Sequence, residues 1–333
     1  MHDHLFLTKP LAISSQLLRG NPLGNPTERI AMVLEPLGGA APRAVVYVLD
    51  GYFGSGRSML NEPGALGRTF AQELLDYQIE GLVPPLLYVF ADGSTVLGGS
   101  QYVNSTANGP FADHIVHEIA PAVESRWAVA GVPRAVVGHS SGGIGALWLT
   151  TSFPGFFQAC IASAADSAFE YSLLPMFPVA SMRLARAGSI GSFLSDLRSR
   201  NQPERCSPAD FKTLLILALA SCYSPAPGAN ESCGQLPFDL ETLELDIGVW
   251  ERWRRFDPVC FDDERLKTLR SLRLLMLDCG NEDEYAAQYG HRRLARRLRA
   301  LHVPHVHNEF DGNHQGTRYR YCERLSLLAK ALG

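Results

Sequence analysis

Short β-rich apolar runs alternate with longer helix-like segments over most of this 333-residue chain. Several runs are continuously apolar and stop at a turn signal, as Ala44–Leu49 does before Asp50-Gly51 and residues 85–90 do before Ala91-Asp92-Gly93. Continuous apolar runs of this length are typical of strands that helices bury on both faces. The alternation therefore predicts an α/β fold with a mostly parallel central sheet flanked by helices.

Further runs extend this pattern to both halves of the chain. They predict strands at residues 30–34, 135–137, 159–163, 272–277 and 303–310, and helices at residues 111–129 and 285–301. The strands and helices keep alternating, as a parallel sheet with crossover helices requires.

The alternation stops between about residues 166 and 263, a segment rich in proline that contains Trp250 and Trp253. Because the strand pattern resumes at Leu272, we expect residues 167–262 to form a helical insertion or cap within one α/β domain that spans residues 1–333. An insertion of this kind is expected to shape a substrate pocket.

Composition excludes several classes of protein. With 46% hydrophobic residues the chain can bury a core, which excludes general disorder. The 34 acidic and 30 basic residues give a net charge of -4, so no overall field favours nucleic acid or an anionic membrane. Residues 1–15 lack a basic stretch followed by an apolar one, and no run approaches the length of a membrane span. We therefore expect a cytoplasmic protein that contacts neither membrane nor nucleic acid.

The sequence that carries chemistry is Gly138-His-Ser140-Ser-Gly142, a G-x-S-x-G pattern. It follows a β-branched run and precedes a helix-compatible stretch, which is the context of a nucleophile elbow. In a chain with 30 glycines the pattern alone can arise by chance, and the alternative interpretation is a structural turn. The position between a strand and a helix favours Ser140 as a nucleophile.

A serine hydroxyl needs a histidine base and a carboxylate that orients the base. In α/β sheets that carry a nucleophile elbow, the acid and then the histidine follow the serine along the chain. His314 lies in a glycine-flanked loop after the last predicted strand and is the predicted base. Asp283, after the penultimate strand, is the preferred acid and Glu282 is the next candidate. Either carboxylate could instead be a helix N-terminal charge.

Backbone amides are expected to stabilise the oxyanion that forms when the serine attacks. One should be the amide of Ser141, directly after the nucleophile, and Tyr52 in the glycine-rich loop after Leu49 is the choice for the second. A plain surface turn is the alternative for that loop. A second glycine-rich loop, residues 98–108, should reach the same edge of the sheet, where Tyr102 and Asn104 could contact substrate. The alternative is a loop held by its own Asn and Ser hydrogen bonds.

Five motifs spread over nearly the whole chain resemble the "putative esterase" family of α/β-hydrolases, and especially its enterochelin-esterase-like members. That family also includes S-formylglutathione hydrolases and mycolyltransferases. The motifs are Val48-Leu-Asp-Gly-Tyr52, Gly98-Gly-Ser-Gln-Tyr-Val-Asn104, Gly138-His-Ser-Ser-Gly-Gly143, Asp278-Cys-Gly-Asn-Glu-Asp-Glu-Tyr285 and Asp311-Gly-Asn-His314. The resemblance implies an α/β-hydrolase fold with Ser140 as nucleophile, Asp283 as acid, His314 as base and the amides of Tyr52 and Ser141 as the oxyanion hole. One departure is Asp50-Gly51, which stands where many members have His-Gly.

Together these observations predict a serine hydrolase that cleaves a carboxylic ester through an acyl-serine intermediate. The substrate would be a small-molecule ester or thioester, and neither a cofactor nor a metal ion is expected. Two alternatives use the same acyl-enzyme: an acyltransferase, and a thioesterase that acts on a carrier protein. A third is a ligand-binding protein without catalysis on the same fold. The sequence leaves the oligomeric state and the pocket size open.

Overall fold

A computed structural model describes residues 8–60, 69–200, 206–317 and 319–333 of the chain. Eight strands form one sheet in the order β1-β2-β4-β3-β7-β8-β9-β10, and β5 and β6 form a separate two-stranded pair. The strands are β1 (Thr8–Ser14), β2 (Glu28–Leu34), β3 (Ala44–Leu49), β4 (Leu86–Ala91), β5 (Asn104–Ser105), β6 (Gly109–Pro110), β7 (Arg134–His139), β8 (Ala159–Ser163), β9 (Leu274–Gly280) and β10 (Val306–Phe310).

The six strands from β4 to β10 in the large sheet run parallel, and β1 and β2 add an antiparallel edge. Every residue of β3, β4 and β8 is buried, which accounts for their continuous apolar sequences. The expected α/β fold with a mostly parallel sheet is therefore confirmed.

Helices cover both faces of the sheet. They are α1 (Gly56–Met59), α2 (Phe70–Ile79), α3 (Phe111–His114), α4 (Ala120–Trp127), α5 (Ser141–Ser152), α6 (Phe169–Ser172), α7 (Phe177–Ala187), α8 (Ile190–Arg200), α9 (Pro208–Tyr223), α10 (Ile247–Arg254), α11 (Asp263–Lys267), α12 (Ala287–Ala300) and α13 (Tyr319–Leu332). Val45, Tyr47 and Leu49 of β3 face a core shared with α3, α4, α5 and α12. Val46 and Val48 face the opposite core, shared with α2 and α13.

The predicted strands at Ala44–Leu49 and Ala159–Ser163 coincide with β3 and β8. The predicted helix at 111–129 is α3 and α4 joined by a π-helical turn, Ile115–Ile119. The sequence does not predict strand β1. Only one of its seven residues is fully buried, so its sequence carries no continuous apolar run. Residues 1–7 of the opening segment lie outside the described residues.

Between β8 and β9 the chain leaves the sheet, and its described residues there form six α-helices, α6 to α11. Residues of this segment pack around Trp253, Phe177 and Tyr223, and this core reaches the sheet domain at Ile144 of α5 and Val103. Residues 201–205 of the expected insertion, 167–262, lie outside the described part of the chain. Its status as an insertion within one domain stays a prediction. None of the described helices is long and apolar enough to cross a membrane.

Candidate active site

Ser140 lies in the turn between β7 and α5, with backbone angles φ 56° and ψ −121°. Backbone angles of this kind are strained for any residue other than glycine. The neighbouring glycines have no room for one: a Cβ on Gly138 would lie 2.0 Å from the carbonyl oxygen of Gly142, and a Cβ on Gly142 would lie 2.1 Å from the carbonyl oxygen of Leu49. The glycine spacing in the sequence is thus a packing requirement of this turn. The turn places Ser140 directly beyond the end of β7, at the edge of the sheet.

Two loops bring the predicted base and acid to Ser140. The Ser140 hydroxyl lies 3.0 Å from Nε2 of His314, in the loop after β10. Nδ1 of the same ring lies 2.7 Å from Oδ2 of Asp283, in the loop after β9. Asp283 is buried and its second oxygen accepts a hydrogen bond from the amide of Tyr285 at 2.9 Å. The three side chains therefore form one continuous hydrogen-bonded chain.

The electrostatics of this chain favour a basic imidazole. Burial opposes a charged ring, but the hydrogen bond and negative charge of Asp283 outweigh it, so the pKa of His314 is raised. Burial likewise opposes ionised Asp283, yet the hydrogen bond from His314 and the amide of Tyr285 hold its pKa below its ordinary value. At neutral pH Asp283 is an anion and can stabilise an imidazolium.

The other carboxylates near this loop have different positions. Glu282 is exposed, and Glu284 accepts a hydrogen bond from the backbone amide of His314 at 2.7 Å. Asp278 is buried and pairs with Arg324 of α13. Of the candidates that the sequence left open, Asp283 is the one hydrogen-bonded to the His314 ring.

The two predicted oxyanion donors, Tyr52 and Ser141, line the same pocket as Ser140. Neither backbone amide donates a hydrogen bond to another described residue. The loop that carries Tyr52 is fixed, because its phenol donates to the carbonyl of Leu97 at 2.6 Å. Asp50, at the position of the family's histidine, also lines the pocket and accepts a hydrogen bond from the Gly51 amide at 2.8 Å. Both amides are available to a ligand.

The two residues predicted to contact substrate lie elsewhere. Tyr102 is buried, and its hydroxyl donates to the carbonyl of Asp50 at 3.0 Å. Asn104 accepts from the amide of Asp113 at 3.1 Å and lines a separate surface depression. Neither is among the described residues that line the pocket at Ser140. Gln101 and Tyr102 both adopt left-handed φ angles in this loop, 53° and 56°.

Several residues of the pocket have no counterpart among the predicted site residues. The lining also includes Asp166, Leu173, Met176, Phe211, Leu215, Tyr285 and Gln315. The four apolar side chains come from the segment between β8 and β9, whose contacts the sequence does not reveal. The position of Asp166 in the sequence could have predicted its place in the site. It follows the predicted strand at residues 159–163, and the strands of a parallel sheet end at the same edge. Within the described chain no cluster of His, Cys, Asp and Glu could hold a metal ion.

Comparisons with known proteins identify the family and the fold of the chain. A family model described as "Putative esterase" matches residues 39–322. Among solved structures, the chain is similar to a ferulic acid esterase, with 16% identity, a TM-score of 0.60 and 98% of each chain covered. It is also similar to an S-formylglutathione hydrolase from Agrobacterium tumefaciens, with 15% identity, a TM-score of 0.54 and coverage of 98% and 95%.

A third similar structure is a fluorophosphonate-binding serine hydrolase of Staphylococcus aureus, with 12% identity, a TM-score of 0.54 and 98% of each chain covered. No curated protein sequence matches the chain. At these identities the structural likenesses show a shared α/β-hydrolase fold, while the family model extends over most of the sequence.

Proposed function

The chain belongs to the esterase family of α/β-hydrolases and is a carboxylic ester hydrolase, and from this premise we propose that it cleaves a small-molecule ester through an acyl-serine intermediate. Ser140 is the nucleophile, His314 the general base and Asp283 the acid that orients it. The observation that carries the proposal is the unbroken hydrogen-bonded chain from Asp283 through His314 to the hydroxyl of a strained serine.

In the first step the Ser140 Oγ attacks the ester carbonyl while Nε2 of His314 takes the hydroxyl proton. The 3.0 Å separation of these atoms supports direct transfer. The tetrahedral intermediate then collapses, the bond to the alcohol oxygen breaks, and the imidazolium returns the proton to the leaving alcohol. The acyl group remains on Ser140.

Asp283 acts through the imidazole and does not itself transfer a proton. Its bond to Nδ1 selects the tautomer in which Nε2 is free to accept, and its charge stabilises the imidazolium. Burial makes both effects stronger, because the carboxylate and the ring are shielded from water.

The amides of Tyr52 and Ser141 stabilise the negative oxygen of the tetrahedral intermediate. Support comes from their positions beside Ser140 and from the lack of another acceptor for either amide among the described residues. Donors that are fixed before the reaction need no reorganisation when the charge develops. In the second half-reaction water attacks the acyl-serine with His314 again as base, which releases the acid and restores the hydroxyl.

The direct test is the mass of the intact protein and of its peptides after treatment with a fluorophosphonate, which traps an activated serine. We expect one adduct on Ser140 of the folded protein. The matched control is Ser140→Ala, which should take up no label, and heat-denatured wild type should lose its reactivity. Labelling of a different serine, or none on folded protein, would contradict the proposal.

A second measurement separates hydrolysis from acyl transfer, since both pass through the same acyl-enzyme. The products are quantified with a p-nitrophenyl ester in the presence of dilute alcohol, amine or thiol acceptors. We expect the free acid to dominate. Preferential transfer to a dilute acceptor would assign the protein as an acyltransferase instead.

A further inference from the structure

The turn after β8 holds an acidic side chain in the candidate active site. Ala164 and Ala168, at the two ends of this turn, have left-handed φ angles of 43° and 55°. Such angles in residues other than glycine cost on the order of 1 kcal/mol or more each and persist only where the surroundings impose them. Asp166 lies between the two strained residues and lines the pocket with Ser140.

Hydrogen bonds from three other elements impose this conformation. The amide of Ala165 donates to Nε2 of His291 in α12 at 3.0 Å, and the amide of Ala164 donates to the carbonyl of Asp278 at 2.8 Å. Asp257 accepts from the amides of Ala168 and Phe169, both at 2.9 Å. The backbone of the turn is thus fixed on both sides of Asp166, and with it the direction of the Cα–Cβ bond of this residue.

The Asp166 carboxylate has no partner within the part of the chain that the structure describes. It forms no hydrogen bond or ion pair with any described residue, although it is only partly exposed. Burial raises its pKa to about 6, so the group is mainly ionised at neutral pH. A partly desolvated anion without a partner is costly, and a ligand that supplies a positive charge or a donor offsets that cost.

The surroundings of Asp166 suit a cation. No lysine or arginine lines the pocket within the described residues, and the rings of Tyr52, Phe211 and Tyr285 do. Aromatic faces attract ammonium groups, most strongly where water is partly excluded. His139, also in the lining, does not supply a charge, because burial lowers its pKa to about 3.

We propose that Asp166 is a specificity-determining residue that selects ester substrates carrying an ammonium group, held by the carboxylate and the adjacent aromatic rings. This inference rests on the proposed esterase function. It predicts that the protein prefers an amine-bearing or quaternary-ammonium ester to an uncharged ester of the same shape.

The test uses two pairs of isosteric esters. One pair is acetylthiocholine and the thioacetate in which a tert-butyl group replaces the trimethylammonium group. The other is the p-nitrophenyl ester of γ-trimethylammonio-butyrate and its tert-butyl isostere. The pairs place the charge on the alcohol side and on the acyl side respectively, so a charge site on either side of the ester is detected.

We expect kcat/KM of the wild type for the cationic ester of at least one pair to exceed that for its isostere by about tenfold, the size of a partly screened ion pair. Asp166→Asn should abolish the preference, because it should lower kcat/KM for the cationic ester by about tenfold more than kcat/KM for the neutral ester of the same shape. Glu241→Gln removes one exposed carboxylate that is not part of the pocket lining and should keep the preference.

The pH dependence of the preference gives a readout that does not depend on a variant. Because the pKa of Asp166 is raised to about 6, the ratio of the two kcat/KM values should fall as the pH is lowered through that value. His314 is common to both substrates, so its titration cancels from the ratio. The groups whose charges act on Asp166 or feel it are His314, Asp283, Asp257, Tyr223 and Tyr285.

Three outcomes would overturn the inference. One is an equal rate for both members of each pair in the wild type. Another is an equal loss with both members in Asp166→Asn, which would assign Asp166 a structural or proton-relay role. The third is a preference that does not change with pH. If no ester is cleaved at all in a manner that depends on Ser140, the proposed function fails, and that result is distinct from cleavage without a charge preference.

Discussion

The loops that hold Ser140, Asp283 and His314 differ in construction from the segment between β8 and β9, although both meet at the candidate active site. The loops are short extensions of parallel strands, and their geometry follows from glycine packing and a few hydrogen bonds. The segment instead forms its own aromatic core, with Phe177 and Phe238 rings 4.5 Å apart. The difference suggests a division of function between the two regions, in which the loops carry out the reaction and the segment recognises the substrate.

The pocket walls support this division. Leu173, Met176, Phe211 and Leu215 line one part of the pocket, and all four belong to the segment. The proposed reacting groups, Ser140 and His314, and the two proposed oxyanion donors belong to the loops of the sheet and line the same pocket. If the division holds, changes in the loops should lower kcat, and changes in the core of the segment should mainly alter KM and stability.

The largest effect is expected for Ser140→Ala. Removal of the nucleophile should lower kcat by about 10⁶, because the triad acts as a unit. Ser141→Ala is the matched control: only the backbone amide of Ser141 is assigned a role, so kcat should remain within about tenfold of wild type. Steady-state rates with a p-nitrophenyl ester measure both variants. Residual activity of Ser140→Ala near the wild-type value would remove the serine from the mechanism.

Asp283→Asn should lower kcat by about 10⁴, since an amide stabilises neither the required tautomer nor the imidazolium. Glu282→Gln, one position away and exposed, should leave kcat near the wild-type value. Equal losses of kcat in both variants would show that Asp283 is not the one carboxylate that acts on His314. Kinetics after purification away from endogenous esterases provide the comparison.

The pH profile gives a second measure of the Asp283 interaction. Activity requires neutral His314, so kcat/KM should rise with pH through the pKa of this residue. Because Asp283 raises that pKa, the acid limb of the wild type should lie above the ordinary histidine value of about 6.5. In Asp283→Asn the limb should move to lower pH. A limb that stays in place would mean that another group controls it.

Gly142→Ala tests the loop geometry without touching a reacting side chain. The added Cβ would lie 2.1 Å from the carbonyl oxygen of Leu49, so the elbow or β3 must move. We expect a loss of about 3 kcal/mol in the free energy of unfolding and a lower kcat. The control is Gly248→Ala in the exposed first turn of α10, where the nearest atom is the flexible Asp246 side chain at 3.3 Å. A thermal or urea unfolding series should place the two variants well apart.

These two regions also differ in how far the sequence predicts them. Continuous apolar runs predict β3 and β8 to the residue, and the glycine spacing around Ser140 predicts the elbow, because both signals are local. The consecutive carboxylates 282–284 leave the acid ambiguous. Only the folded loop separates exposed Glu282 from buried Asp283.

The remaining differences come from contacts that are distant in sequence. Tyr102 is buried against the carbonyl of Asp50, 52 residues away along the chain, and its left-handed φ angle is not signalled by its residue type. The strained turn at Asp166 depends on His291, which is 126 residues from its partner Ala165, and on Asp257, which is 89 residues from its partner Ala168. The apolar wall of the pocket likewise depends on how α7 and α9 pack together. The part of the site that would recognise substrate is therefore visible only in the folded structure.

Trp253→Phe is expected to have the smallest effect of these variants, and it tests the division of function between the two regions most directly. Trp253 is fully buried in the core of the segment, and its indole N–H donates to Oγ of Ser224 at 2.7 Å. Loss of this bond and of part of the ring should cost about 1–3 kcal/mol in the free energy of unfolding. Since the pocket wall rests on this core, KM should rise while kcat stays within about twofold.

Trp127→Phe is the matched control, because its indole N–H also donates at 2.7 Å, to Glu35, but on the sheet side of the molecule. Because Trp127 is only partly buried, Trp127→Phe should lower stability by no more than Trp253→Phe does, and it should leave KM unchanged. If Trp253→Phe instead lowers kcat with KM unchanged, the core of the segment must position the reacting groups, and recognition and chemistry are not separable. A rise in KM confined to Trp253→Phe would locate substrate recognition in the segment and leave the strand loops with the reaction itself.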